Sequence, residues 1–431
     1  MSILDFFRKP KTKSYDDSDF GAGRVVVINN GVIQYIGSSD NKLSASQVYD
    51  MFGKIPTLFD AVEKISSRVA GLSLVLNRDG KVIKEHPVLE LLNNPGKNIS
   101  KTAFWDELST SFALCYEGWL VARGNVSNPP LELEVMEPYC VDSPISGFRQ
   151  NGLMPEKIKT DSEKDKKTYM KKLIDGIERY ISEDGFSELI PIIGKRYKND
   201  WRGMSKLSVL FEEAIHIRAG NVHNRSLLEN GLTSSIILSS KNPDGIDPNK
   251  ANEFKRTVQE QYQGSRNAGK PIFLPLPFEK VSESTNNKDM DYIQLINMDE
   301  TRIYRVFNIP LALISDKAMT YSNLEASIPF LYSDAVFPVF NYLADELTIK
   351  LLPRYKNIDG FKLGFDKFEI PALYKHHAEM MKELKASQVL TTNEIRAKGG
   401  YEEIKGGEDV IIPISVQKLS EIDNVPGYPE V

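Results

Sequence analysis

The sequence predicts an α+β chain: a mixed helix-and-strand N-terminal region followed by unusually long helices. Three patterns carry that prediction. Over the first 150 residues the apolar positions switch between helical and alternating spacing. Two long helical patterns, 204–231 and 288–307, bracket a short strand, helix and strand. A third runs from Asn323 to about Leu352 with Pro329 and Pro338 inside it, so it must be kinked or split. Some thirty α-helical residues would reach roughly 45 Å, enough to cross a whole domain.

The elements follow in order. Residues 1 to about 22 are charged and rich in Gly, Ser and Asp, as in a mobile arm. Val48, Met51, Ile55, Leu58, Ala61, Val62, Ile65 and Val69 fall at helical spacing, and "LSLVLNRDGKVI" then alternates as a hairpin around Asp79-Gly80. A short helix ends at Asn93-Asn94-Pro95. Ser100 caps the next, whose inner face is Phe104, Leu108, Phe112 and Cys115, and "GWLVARG" leaves it as a strand. "LELEVMEPYCVDS" reads as a strand entering a proline turn.

Residues 155–185 are dense in both signs of charge, and Tyr169, Leu173, Ile174, Ile177, Tyr180 and Ile181 mark one apolar stripe. The stretch reads as an amphipathic surface helix, with acids interleaving its lysines as on a solvated face. The pattern from Met204 closes at Gly231, where a C-terminal cap belongs. Its first half carries Leu207, Leu210, Phe211, Ala214 and Ile217; its second half is polar all round and needs something else to lean on, such as a neighbouring subunit. Strand "SSIILSS", turn "KNPDG", helix "DPNKANEFKRTVQEQYQG" and "NAGKPIFLPLPFEKVSES" follow.

With 431 residues, 41% hydrophobic and 26% charged, the chain has room for two or three globular domains. A net charge of -5 argues against a protein that grips phosphates along its surface. Cys115 and Cys140 have no CxxC spacing and read as structural thiols. The N-terminal stretch shows neither an h-region nor a cleavage site, and no run of about 18 apolar residues occurs, so neither secretion nor a membrane span is expected.

Chemical motifs are weak. "GSRNAGKP", 264–271, has the spacing of a phosphate-binding loop, but Pro271 stands where Ser or Thr must hold magnesium. The string also follows a helix and precedes a strand, the reverse of the required order, so it reads as a turn. His216 and His223 lie two helical turns apart, too far to share a metal without further ligands, and His376 and His377 diverge on a helix. No G-x-S-x-G or H-E-x-x-H occurs. No catalytic residue, metal site or cofactor is expected.

The order of segments nonetheless resembles a known family. "HPVLELLNNPGKNISKTAFWDELSTSFALCYEGWLVARG", "WRGMSKLSVLFEEAIHIRAGNVHNRSLLENG", "NAGKPIFLPLPFEKVS", "YIQLINMDETRIYRVFNIPLALIS" and "TYSNLEASIPFLYSDAVFPVFNYLADEL" together are similar to the portal proteins of tailed, long-tailed-type bacteriophages over roughly residues 45–400. There are departures. The early strand, often Gly-Asn-Ala-Tyr in that family, reads Glu117-Gly118-Trp119-Leu120 here, and the charged stretch at 155–185 looks enlarged.

The resemblance implies a ring, a dodecamer, around a channel for double-stranded DNA. Mapped by order, it implies an arm at 1–24, wing at 25–203, stem helix 1 at 204–231, clip at 232–286, stem helix 2 at 287–309, tunnel loop at 310–322, wing again at 323–369, crown at 370–420 and tail at 421–431. The tunnel loop would place Ser315, Asp316, Lys317, Ala318, Met319, Thr320 and Tyr321 at the constriction, with Lys317 repeated as a cationic collar. Arg218, Arg225, Arg302 and Arg305 lie on the stem, facing the channel or a neighbouring subunit. The implied partners are terminase large subunit, head-tail connector or adaptor, major capsid and scaffolding proteins, and DNA without sequence specificity. The implied location is the portal vertex of the virion, after assembly in the host cytoplasm. Two rivals are a nucleotide-driven DNA-translocating ring enzyme, which would need "GSRNAGKP" to work, and a minor capsid or adaptor protein without a channel.

Overall fold

The computed structural model describes residues 25–29, 32–36, 43–78, 81–125, 129–142, 154–162, 165–174, 176–196, 200–230, 237–240, 278–282, 287–314, 321–387, 389–408 and 410. In chain order these form β1 (Val25–Asn29), β2 (Val32–Ile36), α1 (Ala45–Lys54), α2 (Pro56–Ala70), β3 (Leu74–Arg78), β4 (Lys81–Ile83), α3 (Pro87–Asn93) and α4 (Lys101–Cys115). Next come β5 (Glu117–Arg123), β6 (Glu132–Met136), β7 (Val141–Asp142), β8 (Lys157–Thr160), β9 (Thr168–Ile174), β10 (Ile177–Ser182), β11 (Ser187–Ile193), α5 (Phe211–Asn230), β12 (Ile237–Ser240) and β13 (Phe278–Ser282). The last are α6 (Asn287–Val306), α7 (Tyr321–Leu331), α8 (Phe337–Lys350), β14 (Lys362–Phe365), α9 (Tyr374–Ala386) and α10 (Thr392–Lys398). The chain divides into two compact units, one of residues 1–70 and 94–311, the other of 71–93 and 312–431.

In the first unit, the single helical pattern over 48–69 becomes two helices. Ser44 begins α1 with a capping box, its hydroxyl accepting from the Gln47 amide at 3.3 Å while Gln47 Oε1 accepts from the Ser44 amide at 2.9 Å. Ile55 precedes Pro56 and is extended, so α1 stops there and the proline opens α2. Buried Leu58, Ala61, Val62, Ile65 and Val69 of α2 pack on α4, whose Phe104, Trp105, Leu108 and Phe112 are buried as the spacing predicts. Ser100 caps α4 through the Ala103 amide at 3.1 Å. Tyr116, at φ +51°, turns the chain from α4 directly into β5.

A seven-stranded antiparallel sheet follows, in the order β6-β5-β11-β10-β9-β8-β7. It corrects the helix expected over 155–185, which is three strands. Two signals favour strands. Lys157, Ile158, Lys159 and Thr160 alternate exposed and buried, a period of two. Ile174 pairs with Ile177, leaving a two-residue connection, Asp175-Gly176, in which Gly176 has φ +76°. Asp-Gly is a strong hairpin signal. The apolar stripe does not hold either, because Leu173 is exposed while Tyr169, Tyr180 and Ile181 are buried. Across these strands Lys171 pairs with Glu178 at 2.8 Å, and Arg179 makes a buried two-pronged contact with Glu188, at 3.0 Å from Nε and 2.5 Å from Nη2. Trp119, Val121, Met136, Ile158, Tyr169, Tyr180 and Leu189 form a core cluster of this sheet.

The helix expected from Met204 begins only at Phe211; Lys206–Ser208 is a 3-10 turn. β12 and β13, which flank the helix expected over "DPNKANEFKRTVQEQYQG", pair antiparallel. That helix and "GSRNAGKP" lie outside the described residues.

The second unit holds a three-stranded antiparallel sheet, β14-β3-β4. Arg78 pairs with Lys81, as expected for a hairpin across Asp79-Gly80. Val339, Phe340, Leu343, Ala344 and Leu347 form the buried face of α8, and the Phe337 and Phe340 rings lie 4.6 and 5.1 Å from that of Phe365 on β14. The third helical stretch is split as its prolines predict: Pro329 lies inside α7, and Tyr332–Val336 is a π-helical turn in which the Phe337 amide donates to the Tyr332 carbonyl. A proline at 338 lacks an amide and its ring crowds the carbonyl four residues back, so a widened turn just ahead of it is the form of helix that accommodates it.

One polar cluster fixes how the first unit's sheet meets the segment leading into α5. Glu117, 2% exposed, accepts from Arg202 Nε at 2.8 Å, the Trp119 indole at 3.0 Å and the Gly203 amide at 2.7 Å. Arg202 also donates to the carbonyls of Val141 at 2.6 Å and Pro138 at 2.7 Å, with its guanidinium 5.1 Å from the Trp201 ring. Gly203 permits the approach: a Cβ there would stand 2.4 Å from the Cys115 carbonyl oxygen. Glu117→Ala should cost about 3–5 kcal/mol, because it leaves the Arg202 charge without its acid. Breaking the rim pair of Arg123 and Glu134, 2.7 Å apart, should cost no more than about 1 kcal/mol. Denaturant midpoints of the two variants measure the difference.

Candidate nucleic-acid interface: the paired helices α5 and α6

α5 and α6 pack on each other within the first unit. The start of α5 is set by the 3-10 turn before it, where Ser205 accepts from the Leu207 amide at 3.1 Å and donates to the Leu114 carbonyl at 2.7 Å. Leu210, Phe211, Ala214, Ile215 and Ile217 are buried, as are Ile303 in α6 and Phe307 just after it.

Between the helices lies an acid that spacing did not single out. Asp299 is fully buried; its Oδ2 is 3.0 Å from His216 Nδ1 and its Oδ1 accepts from Arg302 at 3.2 Å. Arg302 also reaches Glu213 on α5 at 3.4 Å. α6 is tied to α2 by Thr57, which donates to Glu300 at 3.2 Å, and by Tyr304, whose hydroxyl donates to Asp60 at 2.8 Å. Both contacts join residues more than two hundred positions apart, which no local pattern reveals.

The four arginines fall differently. Arg302 is spread over Asp299 and Glu213 while its side chain stays 49% exposed. Arg218 lies 3.8 Å from Asp50 on α1. Arg305 is exposed in the last turn of α6. Arg225 is in α5, its side chain outside the described residues, as is that of His223. Ser315, Asp316, Lys317, Ala318, Met319 and Thr320 also lie outside them; Tyr321 is the first residue of α7. A 3-10 turn, Leu311–Leu313, precedes that stretch. On α6, Leu295 and Met298 are exposed apolar side chains.

His216 is thus held by a carboxylate, and no group of three His, Cys, Asp or Glu among the described residues can hold a metal. Cys115 and Cys140 are free thiols, as expected, and burial pushes both upward. No described helix is long and apolar enough to cross a membrane.

Lys206 sits at the root of the pair, its ammonium 4.6 Å from the Phe307 ring and 5.7 Å from that of Tyr116. Burial lowers this amine to about 8. Between about pH 8 and the ordinary lysine value of 10.5, the unfolded chain therefore binds more protons here than the folded one, and stability from this group rises with pH. The stability of the wild type relative to Lys206→Met should increase from pH 7.5 to pH 10.5, read as the difference in denaturant midpoints, which cancels the other alkaline titrations.

The comparisons with known proteins agree with this architecture. The chain matches the family model of the phage portal protein over residues 56–400. An uncharacterized protein of Rickettsia bellii (strain RML369-C) is 25% identical over 336 residues, which cover 78% of this chain and 83% of that one. The neck of an empty gene transfer agent (GTA) particle, computed with C6 symmetry, has a chain that aligns with a TM-score of 0.57 at 20% identity, covering 85% of this chain and 95% of its own. A native GTA neck computed with C12 symmetry gives 0.57 at 19%, over 85% and 95%. These structural likenesses speak for the fold. The family match spans most of the sequence and takes in α2, the seven-stranded sheet, the α5 and α6 pair and the split helix, so the chain belongs to the phage portal protein family.

Proposed function

We infer that this portal subunit closes with copies of itself, twelve in number, into a ring at one capsid vertex, and that double-stranded DNA is packaged and ejected through its centre. The observation that carries the reading is the family match over residues 56–400. The C6 and C12 symmetry of the GTA necks whose chains share the fold supports a closed ring with repeated interfaces.

In this reading α5 and α6 are the stem, 232–286 the clip, 310–322 the tunnel loop and 370–420 the crown, with the wing built from 25–203 and 323–369. Exposed Leu295 and Met298 on α6 gain cover from an adjacent copy. With -5 per chain, twelve copies carry about -60. A tube of that sign repels phosphates, and a collar of Lys317 centres the duplex; many phosphate contacts would hold it fast. Packaging takes any sequence, so base edges go unread. The subunit itself is structural. A terminase on the clip supplies the power in trans, connector proteins later take its place, and the ring assembles with capsid and scaffolding proteins in the host cytoplasm.

Negative-stain images of the purified full-length protein should show large rings in top view; a monomer at every concentration and salt would overturn the reading. Lys317→Ala should reduce the DNA packaged per capsid while capsids still assemble. Normal packaging together with failed assembly would instead point to a capsid adaptor without a channel.

A further inference from the structure

In the second unit, the stretch from Tyr374 to Val410 folds with almost no core. Among its described residues only Gly399 and Gly407 are buried, so α9 and α10 bury no side chain, whereas α8 in the same unit buries five. Tyr374, Val389, Tyr401, Ile404 and Val410 are large apolar side chains left exposed. Helices of 13 and seven residues are marginal in water unless one face is packed, so this pair needs a cover.

Part of the uncovered surface is a patch around Gly399 and Gly400. Met381 and Tyr401 border Gly399, where a Cβ would stand 2.7 Å from Met381 Cε and 3.0 Å from Tyr401 Cδ2, and the Phe368 ring borders Gly400 in the same way. The chain then leaves by a fixed route. The Asn393 amide donates to the Gly407 carbonyl at 2.8 Å, its side-chain Nδ2 donates to the Ile404 carbonyl at 3.0 Å, and its Oδ1 accepts from the Ile404 amide at 2.9 Å.

Beyond Val410, outside the described residues, the sequence continues Ile-Ile-Pro-Ile-Ser-Val. Positions 410, 412, 414 and 416 are Val, Ile, Ile and Val, a two-residue alternation of β-branched side chains that suits an extended segment with one face covered. Ile411, Pro413 and Ser415 take the other face. Pro413 has no amide to donate, which costs nothing in a segment that lies on helices rather than inside a ladder. The lengths match as well: six extended residues reach roughly 20 Å, and the 13 residues of α9 rise roughly 20 Å.

We propose that residues 410–416 lie extended across α9 and α10 of their own chain, with Ile412, Ile414 and Val416 seated on the patch of Met381, Tyr401 and Phe368. The tether decides the occupant. A segment that continues directly from the Asn393 clamp meets this face at an effective concentration that a separate partner does not reach. The strap stands apart from the portal reading, because it completes the helix pair within one chain.

Hydrogen exchange of the full-length protein tests it, read by mass spectrometry on peptides from α9. Ile412→Asp with Ile414→Asp should make the α9 amides exchange at least about tenfold faster, while Ile411→Asp, on the opposite face, should leave them at the wild-type rate. Unchanged exchange in the double variant, or equal acceleration by Ile411→Asp, overturns the proposal. Isotope-labelled wild type co-assembled with unlabelled double variant then separates a chain from its neighbour. Acceleration confined to the unlabelled chains is expected; acceleration shared by the labelled chains assigns the cover to an adjacent copy and overturns the proposal. The readout is local to α9 and is the same whether or not rings form, so failure of the ring and failure of the strap are distinguishable.

Discussion

A carboxylate taken out of water must be met by donors on every side, and Glu117 organises the first unit through that requirement. It stands at the first position of β5, directly after the left-handed turn at Tyr116. A guanidinium, an indole and a backbone amide converge on it from residues 202, 119 and 203. Each donor is locked in turn: Arg202 by two carbonyls of the 138–141 segment, Gly203 by the absence of a Cβ. The network is fully paired, and so a penalty for buried charge becomes a device for geometry. Its result is that the chain leaves the sheet in one direction only, ahead of the 3-10 turn from which α5 departs.

A second layer of buried polarity then relates α5 to α6. Asp299 holds one histidine and one arginine, and the outer ties to Thr57 and Asp60 attach α6 to α2. α5 and α6 are thus oriented by polar contacts with specific partners as well as by apolar packing. Apolar packing alone tolerates sliding; an acid with two fixed donors does not.

Much of this architecture was legible from residue order. The caps at Ser100 and the break after Asn93 are local chemistry, read directly from side chains that compete for free backbone groups. The split in the helix after 321 was legible because a proline ring excludes a regular turn. The stretch at 155–185 misled because a charged, loosely periodic pattern suits a helix face as well as two-residue alternation, and only the Asp175-Gly176 pair, an obvious turn in retrospect, separated them. Met204 misled as a helix start because Leu207 and Leu210 keep helical spacing through a 3-10 turn. Asp299 and the Thr57 and Asp60 contacts were invisible: each depends on partners brought close by the fold, and an acid in a chain with 59 of them carries no flag. The family resemblance supplied what local reading could not, a reason for long helices with polar flanks.

The three-stranded sheet of the second unit carries a consequence for biosynthesis. β3 and β4 leave the ribosome early, yet the strand that completes them, β14, pairs Lys362 with Asn77 and Phe365 with Leu74 from nearly three hundred residues downstream. Until then the nascent chain carries an open edge of Leu74, Val75 and Leu76, the kind of edge that recruits foreign strands. Closing it from the far end makes a nearly finished polypeptide the condition for a sealed surface. A chain that ends before β14 keeps that edge open.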